Sequence, residues 1–371
     1  MKKVLGVIFS NMHEHSVTEL TTHRCMGSIP VGGRYRLIDF SLSSLANSGI
    51  EQVGVITKSN YQSLMDHLGS GRSWDLSRKN KGLVILPPFG RAETGMYRGR
   101  IEAFSGITGY LKGSGAREVL AVDCDMLANI DFTGLVEAHR KSGAQITLMY
   151  KKMSILEDSG KEQSALHIGA DGFVQDILLN PRIAGEQNVY LNIMLIERDY
   201  LEHMIGYCCS HSKFSFEKDI LQEGIARHEV YSHEFDGYVS RFNSMRSYFA
   251  TNMALLDSEV REALFPQDRP IFTKVRDEAP VRYGLDNKVS NSLLADGCLI
   301  EGEVENSVLF RGVTVGKGAK VKNCVLMQGT HVGASSSVEY VISDKDVTIK
   351  DGRMIMGFET YPVFISKGSV V

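Results

Sequence analysis

Few residues in this chain have the type and placement to do chemistry. Asp123 and Asp125 close an apolar run two positions apart, an arrangement expected to set them on opposite faces of a strand rather than as a carboxylate dyad. His13 and His15 share that spacing and read as solvated loop histidines, not as a zinc site; His203 and His211 read as surface residues. Arg24, Arg34 and Arg36 are more informative, because a fork of guanidinium groups suits a phosphate. Gly95 to Gly99 has no strand before it and no full dinucleotide fingerprint, and no Gly-x-Ser-x-Gly elbow occurs. Six cysteines (Cys25, Cys124, Cys208, Cys209, Cys298 and Cys324) form no C-x-x-C pair and read as reduced, mostly buried thiols.

The elements that must position these residues follow from hydrophobic patterning. Val4 to Phe9, Val53 to Thr57, Val119 to Asp123 and Ile146 to Tyr150 are short runs of β-branched or large apolar residues, read as buried strands. Leu37, Phe40, Leu42 and Leu45 fall near helical spacing, with Gly49 where a C-terminal cap belongs. Ala103 to Leu111 and Phe132 to His139 also suit helices. Alternation of strand and helix predicts an α/β domain with a mixed, mainly parallel sheet, whose ligands would lie at the carboxyl ends of the strands. Past about Pro280 the texture changes. Cys298 precedes Val304, Val315 precedes Val321, Val332 precedes Val338 and Val341 precedes Val347, each by six positions, with glycines such as Gly297, Gly312, Gly318 and Gly329 between. A six-residue period fits short strands stacked as a β-helix. The expected organisation is therefore residues 1–264, a proline-bearing linker at 265–282, and the solenoid at 283–371.

A length of 371 residues exceeds one ordinary core and calls for two domains. A formal net charge of −3 gives no bulk attraction to nucleic acid or to an anionic membrane, so neither is expected as a partner. The N-terminus is basic and then apolar, but the apolar stretch is short and Asn11, His13, Glu14 and His15 follow at once. It reads as a buried first strand, not an export signal. No stretch reaches the roughly 20 apolar residues of a membrane helix. A cytoplasmic location is expected.

The segment Pro30-Val31-Gly32-Gly33-Arg34-Tyr35-Arg36-Leu37-Ile38-Asp39-Phe40-Ser41-Leu42-Ser43, with Asn47-Ser48-Gly49-Ile50 after it, closely resembles a hallmark of the ADP-glucose pyrophosphorylase (glucose-1-phosphate adenylyltransferase) family. Tyr97-Arg98-Gly99, Phe235-Asp236-Gly237-Tyr238 and the terminal hexads resemble further motifs of that family, in order along nearly the whole chain. Within it, the sequence looks most like the GlgD-type regulatory subunit. The resemblance implies a nucleotidyltransferase-like domain followed by a left-handed β-helix. It also implies a family reaction in which ATP and glucose 1-phosphate give ADP-glucose and pyrophosphate with Mg²⁺, for glycogen synthesis.

Against the family pattern, the phosphate- and metal-binding positions are altered. Active relatives carry a glycine-rich turn after the first strand, whereas here Ser10-Asn11-Met12-His13-Glu14 follows and no glycine lies between Gly6 and Gly27. A lysine-proline pair aligns with Met26-Gly27. Asp125 survives at the first metal position, but Arg241 aligns with the second metal aspartate, a swing of two charge units against a dication. The sugar-phosphate lysine aligns with neutral Asn180. No catalytic set is intact: Asp125, Asn180 and Arg241 are its degenerate positions, and Asp125 is a vestigial ligand. Arg24 and Arg36 fall where the family binds phosphorylated effectors between its domains, with His23 at a lysine of that cluster and Pro30 where a basic residue is common.

The resemblance therefore implies a non-catalytic regulatory or scaffolding subunit. It would form a hetero-oligomer, expected to be a heterotetramer, with a homologous catalytic subunit that carries the Mg²⁺, and would answer to a phosphorylated small-molecule effector. Two alternatives are an active adenylyltransferase with an unconventional metal site and a hexapeptide-type acyltransferase. The second would need a histidine on a coil, and only His331 is available.

Overall fold

The structure is a computed structural model that describes residues 3–79, 81–88, 97–155, 163–225 and 228–371. Gly95 lies outside the described residues. The N-terminal half is built on a nine-stranded sheet. Strand Val4–Phe9 is wholly buried at its centre, with Glu118–Asp123 and Val53–Ile56 parallel on either side and Leu83–Leu86 parallel beyond the latter. Gly185–Glu197 runs antiparallel to Glu118–Asp123 and also pairs antiparallel with Ile146–Ile155, to which Val230–Glu234 adds in parallel. The hairpin of Ser164–Ile168 and Val174–Leu179 joins the sheet by antiparallel pairing of Ala165 with Val189 of Gly185–Glu197. The strands expected from apolar runs are all present. Helix Leu37–Asn47 starts in a capping box formed by Arg36 and Asp39 and ends before Gly49 at φ 74°, a left-handed cap for which glycine pays no steric cost. The run read as one helix from Ala103 to Leu111 is two short helices, Arg100–Gly106 and Thr108–Gly113, broken at Ile107.

Ser258–Leu264 is the last helix of this half, and the first solenoid strand is Arg282–Tyr283. From there the chain winds into a left-handed β-helix of three five-stranded parallel sheets. Val315 pairs with Val332, and Val321 with Val338, in register between coils; all four are buried. Inward apolar residues on successive coils thus stack on their own kind, and burying each side chain is worth roughly 1.5–3 kcal/mol.

The three faces of this prism differ. On one, the residues flanking the inward valines are charged: Glu303 and Glu305 stack beside Lys320 and Lys322 and face solvent. On another, both alternating positions are apolar. Leu309 and Leu326 point into the solenoid core, while Leu293, Val308, Val325, Ile342 and Phe364 form an outward column, one per coil. That column packs on Tyr248, Phe249, Leu255 and Leu264 of the N-terminal half. The linker is fastened too: Asn47 Nδ2 donates to Pro270 O at 3.0 Å, and Phe272 N to Ser43 Oγ at 2.9 Å. No described helix is long and apolar enough to cross a membrane.

Candidate functional site

The carboxyl ends of Val4–Phe9 and Glu118–Asp123 open onto a crevice where such sheets bind ligands. In this chain the crevice is filled by a chain of buried polar side chains. Asp125 follows the second strand, and Ser240–Arg241 pairs antiparallel with Met126–Leu127, so Arg241 is delivered beside it. Arg241 Nη2 donates to Asp125 Oδ2 at 2.6 Å, and Nη1 to Tyr190 O at 3.0 Å. Both side chains are 6% exposed. Burial pushes the Asp125 carboxyl up, but Arg241, aided by His13 and Asn192, outweighs it and holds the group below the ordinary aspartate value.

Asn192 enters from the long strand Gly185–Glu197. The register with Ile146–Ile155 shifts between Tyr190 and Met194, and Asn192 takes φ 56° there, a left-handed conformation that asparagine tolerates. The kink aims its amide into the crevice: Nδ2 donates to Asp125 Oδ2 at 3.0 Å and lies 3.1 Å from His13 Nε2. His13 Nε2 is 3.0 Å from Asp123 Oδ2. Asp123 is in turn gripped by Arg100, whose other nitrogen donates to Glu217 Oε1 at 2.6 Å. Arg100 is buried, with its guanidinium 5.5 Å from the Phe9 ring centroid at the end of the first strand.

Two expectations are corrected. Asp123 and Asp125 do not face opposite ways: positions two apart on a strand share a face, and both feed one network through His13 and Asn192. His13 is accordingly not a solvated loop residue. Arg100, Glu217 and Asn192 stand in no motif of the sequence, whereas Arg98 of the family-like Tyr97-Arg98-Gly99 segment is exposed and pairs with Glu102.

The turn after the first strand is closed by its own side chains. Asn11 Nδ2 donates to Glu14 Oε1 at 2.6 Å and to Ser59 O at 3.0 Å, while Asn11 Oδ1 accepts from Lys58 N at 2.9 Å. Burial raises the Glu14 carboxyl pKa, offset in part by Asn11. Asn180 sits exposed just past strand Val174–Leu179 at φ 50°. The donors do not fit Mg²⁺: Asp125 is bonded to a guanidinium, Asp123 to another, and no cluster of three metal-binding side chains occurs among the described residues.

A second polar centre lies at the junction of the halves. Arg34, Arg36, Arg276, Arg311 and Lys345 line a cavity of about 40 Å³ together with His67 and Gln328. Arg36 is held at the start of helix Leu37–Asn47, where its Nη1 donates to Ser63 O at 2.5 Å and to Ser63 Oγ at 3.0 Å. Asp39 accepts from Arg36 N and bonds His67 Nε2 at 2.6 Å. Burial lowers the Arg36 pKa to about 10, with Arg276 and Arg24 adding to it against Asp39. Burial lowers that of Lys345 to about 8, with Arg36 and Arg24 next. Arg24 lies buried at the same junction, close enough to Arg36 and Lys345 to act on both. Its Nη2 donates to Asp344 Oδ1 at 2.6 Å inside the domain contact, and it does not line the cavity. His23 is exposed and does not line it either. On the solenoid, exposed His331 bonds Thr314.

The nucleotidyl transferase family matches residues 17–160, and the GlmU-like C-terminal hexapeptide family matches residues 279–360. The chain is 34% identical over 369 residues to the glycogen biosynthesis protein GlgD of Bacillus subtilis (strain 168), covering 99% of this chain and 97% of that one. It is 35% identical to the GlgD of Geobacillus stearothermophilus over 86% of this chain and 83% of that one. To the glucose-1-phosphate adenylyltransferase of the same organism it is 31% identical, over 86% and 84%.

Proposed function

The chain belongs to the family that holds the GlgD glycogen biosynthesis proteins and the glucose-1-phosphate adenylyltransferases, and from that premise we propose that it is a non-catalytic regulatory or scaffolding subunit of an ADP-glucose pyrophosphorylase in cytoplasmic glycogen synthesis. One observation carries this reading. The guanidinium of Arg241 occupies the place, beside Asp125, where the family resemblance puts a magnesium-binding carboxylate. A tethered cation there repels the dication that would balance charge on a transferring nucleotidyl group. Arg100 reinforces the block by holding Asp123 within the same crevice.

The partner is a homologous catalytic subunit, and the Mg²⁺ chemistry belongs to it. The complete sheet, the solenoid and the apolar contact between them support a scaffolding role, since the architecture stands while the crevice is closed. The junction cavity supplies a regulatory role. Five cations line it and no carboxylate does, so a phosphorylated effector would relieve their repulsion and bring charge-assisted hydrogen bonds. Arg36 is the residue of the expected effector set that reaches it; Arg24 acts behind it by occupying Asp344.

The test is to purify the chain alone and after co-expression with a catalytic homologue. Alone it should make no measurable ADP-glucose. Together the two should elute as one complex with a higher kcat/KM or a shifted effector response. Brisk synthesis by the pure chain, or separate elution with unchanged kinetics, would overturn the proposal.

A further inference from the structure

Lys345 differs in its surroundings from the lysines that are paired on the surface. Lys152, Lys213, Lys288 and Lys322 each sit within 4 Å of a glutamate carboxylate. Lys345 instead follows Asp344 on the solenoid turn after strand Val341–Ser343 and lines the junction cavity among four arginines. The adjacent Asp344 still raises the affinity of the amine for its proton, but its carboxylate is already engaged. The Asp344 carboxylate is taken by Arg24 at 2.6 Å and by the Lys345 backbone N–H at 2.7 Å. The cavity therefore combines an amine with a cradle for a small dianion.

We propose that Lys345 is an acylation site for acyl phosphates, with the arginines of the cavity holding the phosphoryl end of the reagent while the amine attacks its carbonyl. The proposal rests on reading the cavity as an anion site. In the step, the lone pair of neutral Nζ forms a C–N bond to the acyl carbon. The bond from that carbon to the phosphate oxygen breaks, inorganic phosphate leaves with the electron pair, and the surplus proton on nitrogen passes to water. Nothing is oxidised or reduced. The product is a neutral amide, which removes one of the five cations and weakens later anion binding. Burial and the adjacent arginines hold the amine near pKa 8 in the empty cavity; a bound dianion raises it, so acylation draws on the neutral fraction and speeds up as pH rises. The chain would then register the supply of activated acyl groups as a lasting loss of effector affinity.

The experiment incubates the full chain with acetyl phosphate at pH 8 and follows each lysine by peptide mass spectrometry. Lys345 should be acetylated about tenfold or more faster than exposed Lys317 or Lys320, which lie outside the cavity and so have no arginines to hold the reagent beside them. Saturating sulfate should protect Lys345 alone. Arg311→Gln should slow acetylation of Lys345 by acetyl phosphate but not by an uncharged N-hydroxysuccinimide ester. Lys345→Gln should lower sulfate affinity in calorimetry. If sulfate binds the wild type yet Lys345 reacts no faster than Lys317, the acylation proposal is wrong and the anion site stands. If sulfate neither binds nor protects, the anion site itself is wrong and the proposal falls with it.

Discussion

Replacing Arg241 by methionine removes the cation from the closed crevice while keeping its aliphatic bulk. Both partners are 6% exposed, so solvent screening does not weaken the pair. Removing one partner of such a buried pair costs about 3–5 kcal/mol, because the remaining charge stays buried and uncompensated. The sign with pH follows from Asp125. In the wild type its folded-state pKa lies below the unfolded value, so the stability it contributes is present above that unfolded value and lost as pH falls through the folded one. In Arg241→Met, burial dominates and the folded pKa rises above the unfolded value. Ionised Asp125 then penalises the fold at neutral pH, and the penalty lifts as acid protonates it. Urea unfolding between pH 7 and pH 4 should show the two stability curves converging toward acid. The double variant Arg241→Met with Asp125→Asn should recover most of the loss at pH 7. A cost under about 1 kcal/mol, as for an exposed pair, or a gap that does not shrink in acid, would refute the reasoning.

Arg241→Asp should admit Mg²⁺ weakly in a calorimetric titration yet give no measurable ADP-glucose, since Arg100, Asn180 and the self-bonded Asn11–Glu14 turn remain; brisk turnover would show that one arginine was the whole block. Val321→Ala removes two methyl groups from the inward column of the solenoid and should cost about 2 kcal/mol in thermal unfolding; a neutral result would mean the column is not tightly packed. Sulfate, whose charge is constant over this range, should bind less tightly as pH rises through about 8, where Lys345 loses its proton. Bound sulfate raises that pKa, so binding takes up a proton above it, and a flat calorimetric profile from pH 6.5 to 9.5 would remove Lys345 from the site.

Much of the architecture was legible because burial writes a period into the chain. Val4 to Phe9 is apolar throughout because both faces of its strand are covered, and the valines six apart mark successive inward corners of the solenoid. The Asp125–Arg241 pair was legible because each residue stands at a position with a known demand, and opposite charges brought together there attract. Arg100 was not, since a buried arginine has the same sequence signature as an exposed one until its partners, Asp123 and Glu217, are folded around it. Asn192 needed a bulge that no local propensity announces. The junction cavity draws on segments near residues 36, 276, 311 and 345, and no spacing along the chain brings those together. The outward column did leave a signal: Leu293-Leu294, Val308-Leu309 and Val325-Leu326 are adjacent apolar pairs on successive coils, one member facing the solenoid core and the other the N-terminal half.

That column changes what kind of object the solenoid is. A free stack of coils behaves as a one-dimensional array, in which each rung feels only its neighbours and the ends fray first. Here Leu293, Val308, Val325, Ile342 and Phe364 tie every rung to the same wall of the N-terminal half. The array has therefore lost its independence. A terminal coil cannot peel away without stripping apolar surface from helix Met245–Ala254, and the contact is renewed at each step along the stack. The two halves should melt in one transition, and a change at the junction has no slack hinge in which to dissipate.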